Sequence, residues 1–144
     1  MSIDYLTRPR PLTPRDDILP VIIGGDFGVY GIGRCFNEAF GCRCICVGSQ
    51  PTESITRSNF FDVRHVSAHA SDAQLLDVLM SVAGEHPDKK LVLMANHDIF
   101  SAFVARNARA LSRHYALPFP DSQVMERLTD KAEFARACER AGIG

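Results

Sequence analysis

Short, nearly unbroken apolar runs alternate along this chain with stretches whose apolar positions recur every three or four residues. Ile18-Leu19-Pro20-Val21-Ile22-Ile23 is rich in β-branched residues and stops at Gly24-Gly25, as a strand buried on both faces of a parallel sheet does. Val29, Ile32, Phe36, Ala39 and Phe40 then follow helical spacing up to Gly41, a glycine placed to end a helix. Cys42-Arg43-Cys44-Ile45-Cys46-Val47 predicts a second strand, ending at Gly48-Ser49. Residues 49–61 are polar and turn-rich, and Phe61 to Val66 alternates weakly, as a short edge strand would. Ser71-Asp72-Ala73-Gln74 matches a capping box, after which Leu75, Leu76, Leu79, Val82 and Ala83 line one helical face. Lys90 to Ala95 predicts another central strand. Asn96-His97-Asp98 leads from it into a helix through Phe100, Phe103 and Val104, drawn as far as His114. Tyr115 to Phe119 predicts a last strand, which Pro118 and Pro120 place at an edge. Two short helices close the chain, the second starting at Asp130 with Glu133 three residues on.

Strands alternating with helices predict an α/β fold. The expected form is an open, mainly parallel, Rossmann-like sheet of about four or five strands with helices on both faces. The boundaries predict an arm at residues 1–17, the sheet domain at 18–121 and a helical linker at 122–144. Pro9, Pro11 and Pro14 keep the arm out of helix and sheet interior, and Arg8, Arg10 and Arg15 make it basic, so it reads as flexible. A length of 144 residues suits one domain, and 46% apolar residues supply a core. Sixteen Lys and Arg against seventeen Asp and Glu argue against a nucleic-acid partner. No apolar run spans a membrane, and the N-terminus has no secretory h-region. Five cysteines, four of them between residues 35 and 46, read as reduced thiols in a cytoplasmic protein.

The chemistry concentrates after the first strand. Glycines there let a backbone approach a ligand, and a helix N-terminus attracts anions. The spacing Gly25-x-x-Gly28-x-x-Gly31-x-Gly33 is not the dinucleotide fingerprint, Asp26 stands where a pyrophosphate would sit, and no acidic residue closes the second strand. A small polar substrate fits better, since the Asp26 carboxylate can hold an amine. Asn96 and Asp98, with His97 between them, end the neighbouring strand at the same crevice, where either is also a natural helix N-cap. Cys42, Cys44 and Cys46 share a strand face but diverge too far to grip a metal, and read as small core residues. His65 and His69 lack a third ligand, so no metal site is expected. Arg106, Arg109 and Arg113 share a helical face that reads as solvated.

Leu128-Thr129-Asp130-Lys131 through Ala141-Gly142-Ile143 resembles a stretch of the ATP-grasp enzymes, in which an Asp-Lys pair opens a helix just before the ATP-binding domain. The α/β unit before it resembles their N-terminal pre-ATP-grasp domain. The loop from Gly24 to Gly31, with Arg34-Cys35-Phe36, is similar to that of carboxylate–amine ligases such as the D-aspartate ligase group. The resemblance implies a parent enzyme that uses ATP and Mg²⁺ to join a carboxylate and an amine through an acyl phosphate, in peptidoglycan cross-bridge synthesis for that group. It implies ATP contact by Lys131 and substrate contact by Gly25, Asp26, Phe27, Gly28, Arg34, Asn96 and Asp98. It also implies a missing C-terminal ATP-grasp domain as partner, no catalytic residue in this part, and an inactive fragment. Apolar surface around residues 122–143 is expected where that domain would pack, and could pair two copies as a homodimer. Two further readings stand beside it: a stand-alone Rossmann-like module for a nucleotide or small metabolite, and an interaction domain without a ligand.

Overall fold

Five strands form one all-parallel sheet in a computed structural model of the chain, which describes residues 13–120 and 122–143. The strands are β1 (Ile18–Ile23), β2 (Cys44–Gly48), β3 (Phe61–His65), β4 (Lys90–Ala95) and β5 (Tyr115–Ala116), ordered β3-β2-β1-β4-β5. The helices are α1 (Phe27–Phe40), α2 (Glu53–Thr56), α3 (Asp72–Glu85), α4 (Asp98–Arg106), α5 (Ala108–Leu111), α6 (Ser122–Thr129) and α7 (Lys131–Arg140). The α/β class, the parallel sheet and the helices on both faces are borne out.

Alternation along the strands sorts side chains onto two faces. Val21 and Ile23 join Ile45, Val47, Leu91 and Leu93 against α3, α4 and α5. Ile22 joins Cys44 and Cys46 against α1 and α2, where Val29 and Ile55 are fully buried. Pro20 is tolerated in this central strand because pairing with β2 begins only at Val21. Gly41 ends α1 in the left-handed region at φ 68°, its N–H donating to the Asn37 carbonyl. Ser71 and Gln74 cap α3 reciprocally, as the sequence pattern predicts.

Several boundaries differ from expectation. The predicted helix to His114 breaks at Asn107, whose side-chain amide donates to the Phe103 carbonyl at 2.9 Å and competes with the helical ladder. The last strand keeps only Tyr115 and Ala116, since Pro118 and Pro120 follow too closely for more ladder. The polar stretch after β2 contains α2, held by the buried Ile55. Residues 1–12 of the predicted arm lie outside the described residues, but its end is docked: Thr13 and Arg15 donate backbone N–H bonds to Ala39 and Phe40 at 3.3 and 2.8 Å. Asp17 accepts from Arg15 at 2.6 Å and from Lys90 at 3.1 Å. Among the described residues, no helix is long and apolar enough to cross a membrane.

Candidate functional site

Strand register brings the candidate loops together. Ile23 pairs with Val47 on one side and Ala95 on the other, so β1, β2 and β4 end level. The segments that follow them, with the one after β3, form a single carboxyl edge, where open α/β sheets place their ligands. Gly24 leaves β1 at φ 128°, a conformation that disfavours any side chain. Gly48 passes so close to the Gly24 carbonyl that a Cβ there would collide with it.

Asp26 is the hub of this edge. It is the N-cap of α1, its Oδ1 accepting from the Val29 N–H at 3.0 Å. Neither the amine reading nor the anion reading of the loop foresees this role. Asn96 Nδ2 reaches both carboxylate oxygens, at 3.1 and 3.0 Å, and His97 Nε2 lies 2.8 Å from Oδ2. The Val29 N–H first, then Asn96 and His97, hold the carboxyl below its ordinary pKa against the opposing effect of burial. Its lone pairs are therefore largely engaged inside the chain, and it ties the β1–α1 loop to the β4–α4 turn. Gly28 lies beneath Asn96, where a Cβ would clash with the amide. The cap of α4 is His97 and lacks a side-chain hydrogen bond, so neither Asn96 nor Asp98 serves as the N-cap. Asn96 is turned to Asp26 instead, and Asp98 is the first helical residue, exposed.

A cavity of about 310 Å³ opens beside this clamp, over the carboxyl ends of β1, β2 and β3. Its floor is apolar, from Ile23, Val47, Val66, Leu75 and Phe100. Its polar rim comes from Ser49, Gln50, Thr52 and Ser67, with Asp26 and His97 at one side. The His97 ring stands edge-on to Phe100, centroids 6.2 Å apart.

Gly25 and Asp26 line the cavity. Phe27 begins α1 and points outward, 75% exposed. Arg34 lies two turns further along α1 and pairs with Glu38 at 2.6 Å, which raises its pKa. It is not among the cavity-lining residues. Lys131 opens α7 and is exposed, while Asp130 caps that helix through Ala132 and Glu133 N–H bonds of 2.8 and 2.9 Å. Val124, Phe134 and Ile143 are exposed on and beyond the closing helices. Sequence reasoning set His97 at the crevice without giving it a substrate contact, and missed Ser49, Gln50 and Ser67. The only signal was the Gly48-Ser49 stop at the end of β2, and Ser67 joins through the pairing of β3.

The other candidates have structural partners. Cys42, Cys44 and Cys46 are buried, their thiols lying 3.6, 3.6 and 3.2 Å from the Phe36, Gly33 and Gly24 carbonyls. Burial pushes Cys44 up to about 12 and Cys46 up to about 11, so neither is a nucleophile in the fold. His65 closes β3, and His69 lies beyond it in a turn. Arg106 grips Asp72 at 2.8 Å.

No family model matches the chain. It is 28% identical over 127 residues to a D-aspartate ligase of Enterococcus faecium (strain Aus0004). The match covers 86% of this chain and 30% of the relative, so the chain spans under a third of that ligase's length. The likeness to the D-aspartate ligase group, read from the glycine loop and the closing segment, is borne out.

Proposed function

We propose that the chain is the substrate-side domain of an ATP-dependent ligase that joins a carboxylate to an amine. The likeness to D-aspartate ligase carries this reading, because it extends over 86% of the chain. The carboxyl edge of the sheet supports it, with glycine-assisted loops locked in place by Asp26, Asn96 and His97. In this role the clamp holds one wall of the cleft rigid. Gly25, Phe27 and Asp98 present backbone and exposed side chains toward substrates, and Gly28 leaves room for Asn96. Arg34 contributes through the outer face of α1 rather than through the cavity. D-Aspartate is the first carboxylate to test, and a cytoplasmic place in peptidoglycan cross-bridge synthesis belongs to the same proposal.

ATP would supply the activation, converting the carboxylate to an acyl phosphate whose carbonyl the amine attacks to give an amide and release phosphate. The described residues do not by themselves build the site for ATP or Mg²⁺. Among them no three His, Cys, Asp or Glu side chains converge as metal ligands, and Lys131 is one exposed ammonium beside an N-terminus already capped by Asp130. The remaining length of such a ligase would supply both sites.

The test is to extend the reading frame beyond codon 144 and assay the longer protein for ADP release. Release that requires both D-aspartate and an amine supports the reading, and Lys131→Ala should then raise KM for ATP. A stop codon after Gly144, or ADP release indifferent to the amine, refutes it. The cavity favours a second reading, a stand-alone module for a small metabolite, in which a ligand binds with no nucleotide turnover.

A further inference from the structure

We propose that His97 is the general base of the ligation, taking up at Nδ1 the proton that the amine nitrogen sheds as it attacks the activated carboxylate. The assignment rests on the ligase reading and deepens it. It gives this part of the enzyme a catalytic residue where the resemblance implies none.

The clamp fixes which ring nitrogen is free. At neutral pH the Asp26 carboxylate is ionised and can only accept hydrogen bonds. His97 Nε2, 2.8 Å from Oδ2, therefore carries the proton of the neutral imidazole, and the basic lone pair is left on Nδ1. Nδ1 has no hydrogen-bond partner among the described residues, because His97 caps α4 through its backbone carbonyl and not through its side chain. The ring is steadied by its edge-on contact with Phe100. Asp26 is itself anchored by the Val29 N–H and by both bonds from Asn96. A fixed carboxylate that orients an imidazole and stabilises the imidazolium, with the far nitrogen open, is the arrangement of a histidine base.

The lining offers one group for this task. Among the described residues, Asp26 and His97 are the titratable side chains that line the cavity. The Val29 N–H first, then Asn96 and His97, hold Asp26 below its ordinary pKa, which makes it a poor proton acceptor. Asp98, the next residue along α4, is exposed and does not line the cavity. The His97 side chain is half-exposed, so a substrate laid across the carboxyl edge can meet it. As the neutral amine attacks the acyl phosphate, the C–N bond forms and a proton passes from that nitrogen to His97 Nδ1. The C–O bond to phosphate breaks, its electron pair leaving with phosphate, and the imidazolium then returns the proton to water.

The test compares two nucleophiles on the longer protein that the extended reading frame encodes. Hydroxylamine captures an acyl phosphate as a hydroxamate without help from a base, whereas an alkyl amine needs one. His97→Gln keeps an N–H donor for Asp26 and removes the basic nitrogen. It should lower kcat for amide formation at pH 7 by about 10²- to 10⁴-fold and leave hydroxamate formation within about threefold of wild type. The deficit should narrow as pH rises toward about 9.5, where hydroxide replaces the missing base. Asp26→Asn should lower the amide rate by at least about tenfold in the same selective way. A second measurement needs no variant. Nitrogen NMR of the histidine rings in the full 144-residue chain should show neutral His97 protonated on Nε2. An amide rate within about threefold of wild type, equal losses with both nucleophiles, a deficit that does not change with pH, or a neutral ring protonated on Nδ1 overturns the base and leaves the ligase reading standing. Failure of the wild-type protein to form any hydroxamate from D-aspartate and ATP overturns both.

Discussion

Replacing Asp26 by Ala tests the clamp at the sheet edge most directly. The cap on α1 is worth about 1 kcal/mol, within a range of about 0.5–2. The Asn96 amide bonds are exposed and add about 0.5 kcal/mol, and the solvent-facing contact with His97 adds about 0–1. Asp26→Ala should therefore cost about 2 kcal/mol, or roughly 4–8 °C in Tm for a domain of this size. Asp26→Asn should lose less than half of that, because asparagine caps α1 equally well and keeps one acceptor oxygen. Urea melts of both variants, Asn96→Ala and the Asp26→Ala/Asn96→Ala double mutant give the coupling, expected at about 0.5–1 kcal/mol. The pH dependence has a definite sign. The folded carboxyl titrates below its unfolded value, so its contribution is full above about pH 4 and is lost as pH falls through the folded value. The gap between wild type and Asp26→Ala should shrink on acidification from pH 6 to about pH 3. A gap under about 0.5 kcal/mol at pH 7, additive single losses, or a gap that widens on acidification would refute the clamp.

Three further outcomes follow from the same contacts. Gly48→Ala forces a methyl group into the Gly24 carbonyl, backbone against backbone, and should destabilise by about 3 kcal/mol in a denaturant melt. Tyr115→Phe removes the 2.6 Å bond from the phenol to the Leu79 carbonyl and should cost about 1 kcal/mol, read from the midpoint of a urea curve. Alkylation with iodoacetamide at pH 8, followed by mass spectrometry, should modify exposed Cys35 in the native protein and leave Cys44 and Cys46 untouched until urea unfolds it.

The sheet was legible in the sequence because its signals are local. β-Branched runs ending at Gly24 and near Gly48, and the Ser71 capping box, are each decided within a few residues. The predicted bounds of β1 and β4 agree with the observed strands residue for residue. Errors arose where local signals compete. The Asn107 side chain breaks one long apolar helix into two, and α2 has too few apolar residues for its periodicity to show.

By itself the sequence determined the order of elements, the two-faced burial of β1 and β2, and the place along the chain where chemistry gathers. Only the tertiary structure decided what that place looks like. Strand pairing levels Ile23, Val47 and Ala95, and so brings Asp26 to Asn96 and His97, 70 and 71 positions away along the chain. A carboxylate that reads as free to meet a substrate is thereby engaged from three sides. The open space lies beside it over β1, β2 and β3, among side chains that the sequence scatters between Ile23 and Phe100. Spacing along a chain reports which side chains share an element. Which elements meet, and whose lone pairs are already taken, depends on the long-range pairing of parallel strands.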